Sequence, residues 1–296
     1  MTDSRFSQFG LPALLLGAAV IATSGIFVRL SEAEPIATAF YRIAFSLPFF
    51  WLWMRIELRP RAGEVGLRPR QLTDWVWMVF AGVLLAFDLA AMHWSIQYTT
   101  VANTMLLANT APLYVALGAW LILRERVTAR FLLVLAVTLV GVALLVWNSL
   151  SISLAHVMGD GLGLLTGVFY GGYQLAIKRL RGKFSASVVM TWTTVPSMAA
   201  LALLVPLTGE SFAVPSLNGW IILIALGLFT HAGGQGLINF GVGHLTAAFA
   251  SIALLLQPVV AAMIAWPLFG EAFTPLQGAG AAIVLAGIFF ARRASR

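Results

Sequence analysis

The stretch Thr100–Glu125, TVANTMLLANTAPLYVALGAWLILRE, decides the fold. It is long enough to cross a bilayer as one helix, which takes about 20 mostly apolar residues. Pro112 sits mid-segment and Glu125 at its end. The chain writes the segment again at Thr246–Glu271, TAAFASIALLLQPVVAAMIAWPLFGE. A shift of 146 positions carries Thr100 to Thr246, Pro112 to Pro258, Trp120 to Trp266 and Glu125 to Glu271. The register continues without a gap through Thr128 to Thr274 and Gly141 to Gly287. Apolar composition alone gives scattered alanine matches; Thr, Pro, Trp, Glu and Gly in one register are an internal duplication.

Working outward, the whole chain has the composition of a polytopic membrane protein. Of its 296 residues 60% are apolar and 10% charged, against about 25% charged in a soluble domain, and the mean hydropathy is +0.92. Apolar runs predict ten spans, at 11–30, 36–54, 74–95, 100–122, 130–147, 160–178, 187–207, 218–237, 246–268 and 276–292. The expected fold is an all-α membrane protein whose ten transmembrane helices form two inverted five-helix repeats, residues 1–150 and 151–296. An odd number of spans per copy turns the second copy over. The loop Arg124-Glu125-Arg126 keeps its acid but loses both arginines in Gly270-Glu271-Ala272, as a loop moved to the outer face should. Inverted repeats are a signature of secondary transporters, with the site near mid-membrane.

The net charge of +7 would suggest nucleic acid in a soluble protein, but here the basic residues fill short loops. Arg55, Arg59, Arg61, Arg68 and Arg70, then Arg124, Arg126 and Arg130, then Lys178, Arg179, Arg181 and Lys183 all fall on one side of a ten-span chain, with Arg5, Arg292, Arg293 and Arg296. The positive-inside rule makes that side cytoplasmic, with both termini inside. No nucleic-acid partner is expected; the partners are the bilayer and a small solute, with the protein a monomer or weak homo-oligomer. The first apolar segment lacks a small-x-small cleavage pattern and reads as a retained helix.

Polar groups at membrane depth are costly and mark function by default. On helix 8, His231, Gln235 and Asn239 recur every fourth residue beside Gly227, Gly233, Gly234 and Gly236. On helix 3, His93 matches Asn239 in the repeat, and Asp88 is a carboxylate in an apolar span, able to carry a proton or hold an amino group. Helix 4 offers Asn103 and Thr110; helix 6 offers Tyr170, Tyr173 and Gln174, tyrosine having an apolar body and a polar tip. These nine plus Asp88 are the candidate solute contacts, against interhelical hydrogen bonding as the plain alternative. Pro112 and Pro258 read as paired kinks. Glu125 and Glu271 read as caps for a following helix, or, for Glu125, as the partner of a local arginine. Glycines 159, 163, 167 and 171 read as a packing stripe, and the tryptophans near helix ends as an interfacial belt.

The sequence Tyr98, Thr99 or Thr100, Ala102, Pro112, Glu125, echoed in helix 9, resembles the EamA-type drug/metabolite transporter superfamily. The likeness spans the chain, including Arg42 at the start of helix 2; helix 9 departs from it at His244-Leu245. The resemblance implies a small-molecule permease, commonly an exporter. Within the superfamily the chain is similar to the YddG-type branch, which exports aromatic and other neutral amino acids. Export of another metabolite or drug is the alternative. A membrane-embedded enzyme is disfavoured. H-E-x-x-H and G-x-S-x-G are absent, the four histidines lack metal spacing, and cysteine is missing. No catalytic residue, metal or cofactor is expected, and without a Walker A motif transport is driven by a gradient or is simple downhill flow.

Overall fold

The computed structural model describes residues 8–58, 68–147, 150, 153–269 and 274–294, and its regular elements there are all helical. Nine helical segments among these residues are long and apolar enough to span. They are α1 Gly10–Leu30, α2 Pro35–Glu57, α3 Leu72–Tyr98, α4, α5 Ala129–Val146, α7 Ala186–Leu207, α8 Leu217–Val242, α9 and α10 Pro275–Ala294. The remaining long helix, α6 Val157–Arg181, is the expected tenth. It is less apolar because it carries six glycines, Asp160, Thr166, Tyr170, Tyr173 and Gln174.

Both copies of the duplicated segment break. α4 runs as Val101–Ala108 and then Ala111–Leu121. α9 runs as Ala247–Ala253 and then Leu256–Phe269. Each break falls just before the proline, because proline has no N–H to give the preceding turn and its ring crowds that turn's carbonyl. Thr110 and Leu254 close the turns with bonds back to Leu107 and Ala250 at 3.1 Å. The start of each copy is capped in the same way. Thr100 accepts the Asn103 amide at 3.1 Å and Thr246 that of Phe249 at 3.3 Å. Thr128 and Thr274 do the same for Phe131 and Gln277. Such caps contribute roughly 1 kcal/mol each.

Contacts divide the chain into two compact units. The first joins Met1–Ala86 to Ala176–His244, and the second joins Phe87–Leu175 to Leu245–Arg296. Each unit therefore draws on both sequence halves, and the divisions fall inside α3 and α6. The halves 1–150 and 151–296 are a statement about sequence register; spatial packing follows other lines.

In the first unit α1 lies on α8, and α2 packs against α7 and α8. Close approach needs glycine on both helices: a Cβ on Gly17 would stand 2.6 Å from the Gly234 carbonyl, and one on Gly241 2.6 Å from that of Gly10. In the second unit α5 pairs with α10, where a Cβ on Gly280 would stand 2.6 Å from the Gly141 carbonyl. The α6 glycines behave as expected of a packing stripe. Gly159 faces Thr99, Gly163 faces Ser95 and Leu107, Gly167 faces Thr110, and Gly171 faces Tyr114. Small residues are what allow such contact in lipid, where helix association gains little from the hydrophobic effect.

Gly280→Val should lower the unfolding midpoint in detergent by an amount equivalent to about 1–3 kcal/mol of overpacking. Gly25→Ala, where nothing stands within 4 Å of the added carbon, should leave the midpoint within error.

Candidate functional site

α8 does not hold α-helical geometry throughout. Leu226–Gln235 is a π-helical segment between α-helical Leu217–Ala225 and Gly236–Val242. The wider turn bonds i to i+5, and such segments concentrate at functional sites. Three glycines, 227, 233 and 234, lie within it, and their lack of side chains lowers the cost of the looser winding. Two of them also serve packing: Gly227 meets Phe45 and the Arg42 carbonyl, and Gly234 meets Ile21. At these two positions the space that glycine leaves is filled by neighbouring helices.

His231 is in the π segment and 1% exposed. Its ring meets Phe50 edge-on, centroids 6.0 Å apart, in a cluster with Met190, Ala232 and half-buried Trp53. Neither ring nitrogen has a hydrogen-bond partner among the described residues. Asn239 donates from Nδ2 to Met190 Sδ at 2.9 Å, a weak acceptor, and its Oδ1 accepts nothing. Gln235 is buried at the end of the same π segment. These three expected contacts belong to one unit. Below them, Arg181 donates to the Asn239 carbonyl at 3.1 Å and the Phe184 carbonyl at 2.6 Å, and Lys178 donates to the Val242 carbonyl at 3.1 Å. Two cations from the end of α6 thus satisfy carbonyls at the end of α8, where a helix C-terminus favours positive charge.

The other seven candidates belong to the second unit. Tyr170 and Tyr173 are stacked, centroids 6.1 Å apart at 22°. Gln174 is 4% exposed, and its Oε1 has no partner among the described residues. Asp88 and His93 are buried. Asn103 and Thr110 are occupied within the protein. Asn103 donates to Asp160 Oδ1 at 3.0 Å, and Thr110 back-bonds to the Leu107 carbonyl at 2.6 Å while covering Gly167.

Asp160 was not legible as a site residue, since an acid at a helix start reads as a loop charge. It gathers the polar ends of three helices by accepting from Thr99 at 2.7 Å as well as from Asn103. Ser95 continues the cluster, bonded to Thr104 at 2.6 Å and to the Gly159 carbonyl at 2.8 Å.

Glu125 is a cap, as expected, but for a different helix. Its oxygens accept the Ala247 amide at 3.0 Å and the Ala248 amide at 3.4 Å, at the start of α9. The following helix, α5, has Thr128 instead. Arg124 has φ 56°, a left-handed turn that redirects the chain here. Glu271 lies outside the described residues, as does the side chain of Trp266.

Residues 8–147 and 157–293 match the EamA-like transporter family, covering nearly all of the ten-helix bundle. The chain belongs to the EamA-like transporter family. This EamA-like protein is 27% identical over 293 residues to an uncharacterized transporter of Archaeoglobus fulgidus, covering 98% of each chain. It is 25% identical over 243 residues, 80% of each chain, to a probable terminal-alkyne amino-acid exporter of Streptantibioticus cattleyicolor. A solved crystal structure shares the fold, with TM-score 0.81 and 16% identity over 100% of this chain and 99% of that one. The EamA-like chain is thus a multi-pass membrane transporter acting on small molecules, in a family of transporters rather than enzymes.

Two substitutions should move stability in opposite directions. Asp160→Ala removes the acceptor shared by Thr99 and Asn103 and should cost about 1–3 kcal/mol. His231→Leu removes a buried group whose nitrogens bond to nothing and should hold or raise the unfolding midpoint, since apolar replacement of unsatisfied polar groups is neutral or stabilising. Thermal unfolding of both purified variants reads the contrast.

Proposed function

We propose that this EamA-like transporter is a secondary exporter of small metabolites, with aromatic and other neutral amino acids as its substrate class. The observation that carries the reading is His231: a fully buried imidazole with two uncommitted nitrogens, on a π-helical turn, in an apolar bundle. A polar group left unsatisfied in such surroundings costs stability, and a solute that bonds to it recovers that cost on binding. Aromatic neighbours such as Phe50 and Trp53 suit a solute with an apolar side chain. One exporter among its relatives is named as a probable terminal-alkyne amino-acid exporter, which supports the same class.

In this reading the two sequence repeats are inverted in an inner membrane with both termini cytoplasmic, and solute occupies a central cavity between the repeats. His231, Gln235 and Asn239 bond to its polar end. Tyr170, Tyr173 and Gln174, with His93, Asn103 and Thr110, complete the polar lining, and Asp88 takes a proton or the α-amino group. Access alternates as α4 and α9 bend at the breaks before Pro112 and Pro258. Discontinuous helices around a midplane site are the recurring construction of secondary transporters.

Amino-acid flux through proteoliposomes tests this. Purified protein should move at least one neutral or aromatic amino acid down an imposed gradient. His231→Leu and Gln235→Leu should each reduce the rate at least tenfold, with His231→Leu keeping the unfolding midpoint. Unchanged flux in both variants rules the site out. The chain has no native cysteine, so single cysteines replacing Arg126 and Ala272 report topology cleanly. Labelling from opposite sides of the membrane is expected, and labelling from the same side would remove the inversion.

A further inference from the structure

Three helix ends in the first unit enclose a cavity of about 550 Å³: the end of α2, the start of α3 with the residues before it, and the start of α7. Its walls are three tryptophans, Trp51, Trp75 and Trp192, and two arginines, Arg55 and Arg68, with aliphatic residues between. Trp75 and Trp192 meet edge-to-face at 4.8 Å, and the Arg55 guanidinium lies 4.6 Å from the Trp51 ring centroid. These contacts fix the rings and one cation in place rather than leaving them as loose surface side chains.

Among the described residues that line it there is no carboxylate. The acids on the flanking helix ends are engaged elsewhere. Asp74 holds Lys183 at 2.6 Å, and Glu57 accepts a hydrogen bond from Ser187. Two guanidinium groups therefore border a cavity whose described lining holds no anion. Guanidinium groups are matched to phosphate oxygens in bidentate geometry, and tryptophan favours the headgroup level of a bilayer. The helix ends place the cavity at that level, on the side the arginine count assigns to the cytoplasm. The same helix turns carry exposed Leu52, Ile56 and Val76, a surface suited to acyl chains beside the headgroup.

We propose that this cavity binds the phosphate headgroup of an anionic phospholipid from the leaflet at that face. It is separate from the buried polar residues assigned to solute. Anionic lipid attracts basic residues near the surface by about 1 kcal/mol each, which alone gives no specificity. The tryptophan walls and paired arginines supply the specificity.

The test uses the full-length protein in neutral detergent, with lipid retention measured by native mass spectrometry and thermal unfolding. The probes are phosphatidylglycerol, phosphatidylcholine and free sn-glycerol 3-phosphate. Phosphatidylglycerol should be retained at one copy per chain and raise the midpoint more than phosphatidylcholine does; free glycerol phosphate should do neither. Arg55→Gln with Arg68→Gln should remove most of that preference. Arg292→Gln with Arg293→Gln, which removes equal charge at the end of α10, should leave it within about twofold. Arg68 precedes α3 and is exposed, so Arg68→Gln alone tests the site even where the double variant folds poorly; it should weaken retention at least threefold. Equal loss in the control pair would reduce the effect to general charge attraction and overturn the proposal. A response to free glycerol phosphate matching that to the lipid would overturn it in favour of a soluble phosphate ligand.

Discussion

In hydrocarbon, a hydrogen bond that a helix gives up must be replaced from within the protein. That constraint orders most of this structure. Where proline removes an amide from α4 and α9, the chain closes the gap with local turns. Where the helices begin, Thr100, Thr128, Thr246 and Thr274 accept the first free amides. Where α8 ends, Arg181 and Lys178 reach its last carbonyls. Against this satisfaction, the nitrogens of His231 and an oxygen each of Gln174 and Asn239 are among the buried atoms with no hydrogen-bond partner among the described residues.

Much of the fold was legible because its signals are local or periodic. Span length and the proline breaks each follow from a few residues and their chemistry, whereas the threonines are legible only as markers of the repeat. The glycine face of α6 was legible too, since spacing of four keeps one side of a helix bare and therefore able to touch another backbone. The π turn of α8 was not. The i, i+4, i+8 spacing of His231, Gln235 and Asn239 assumes α-helical winding, and glycine-rich sequence accommodates either winding. Only the packing of α1 and α2 against it distinguishes the two.

The long-range partners were also hidden. Glu125 was readable as a cap, yet its helix starts 122 positions away, and proximity in sequence pointed to α5. Asp160 was hidden for the opposite reason: an acid at the mouth of a helix has an ordinary explanation in solvent. Its binding to Thr99 and Asn103 emerges only when α3, α4 and α6 converge. The compact units likewise cross the duplicated halves, because register records how the sequence repeats and not which helices touch.

The π turn also gives α8 slack. A helix wound more loosely over one stretch holds more residues than the same length of regular helix requires. Losing a single residue between 226 and 235 would therefore tighten the winding without shortening the rod, while rotating Asn239 relative to everything before it. This part of α8 is a place where a length change, usually forbidden inside a spanning helix, can be absorbed.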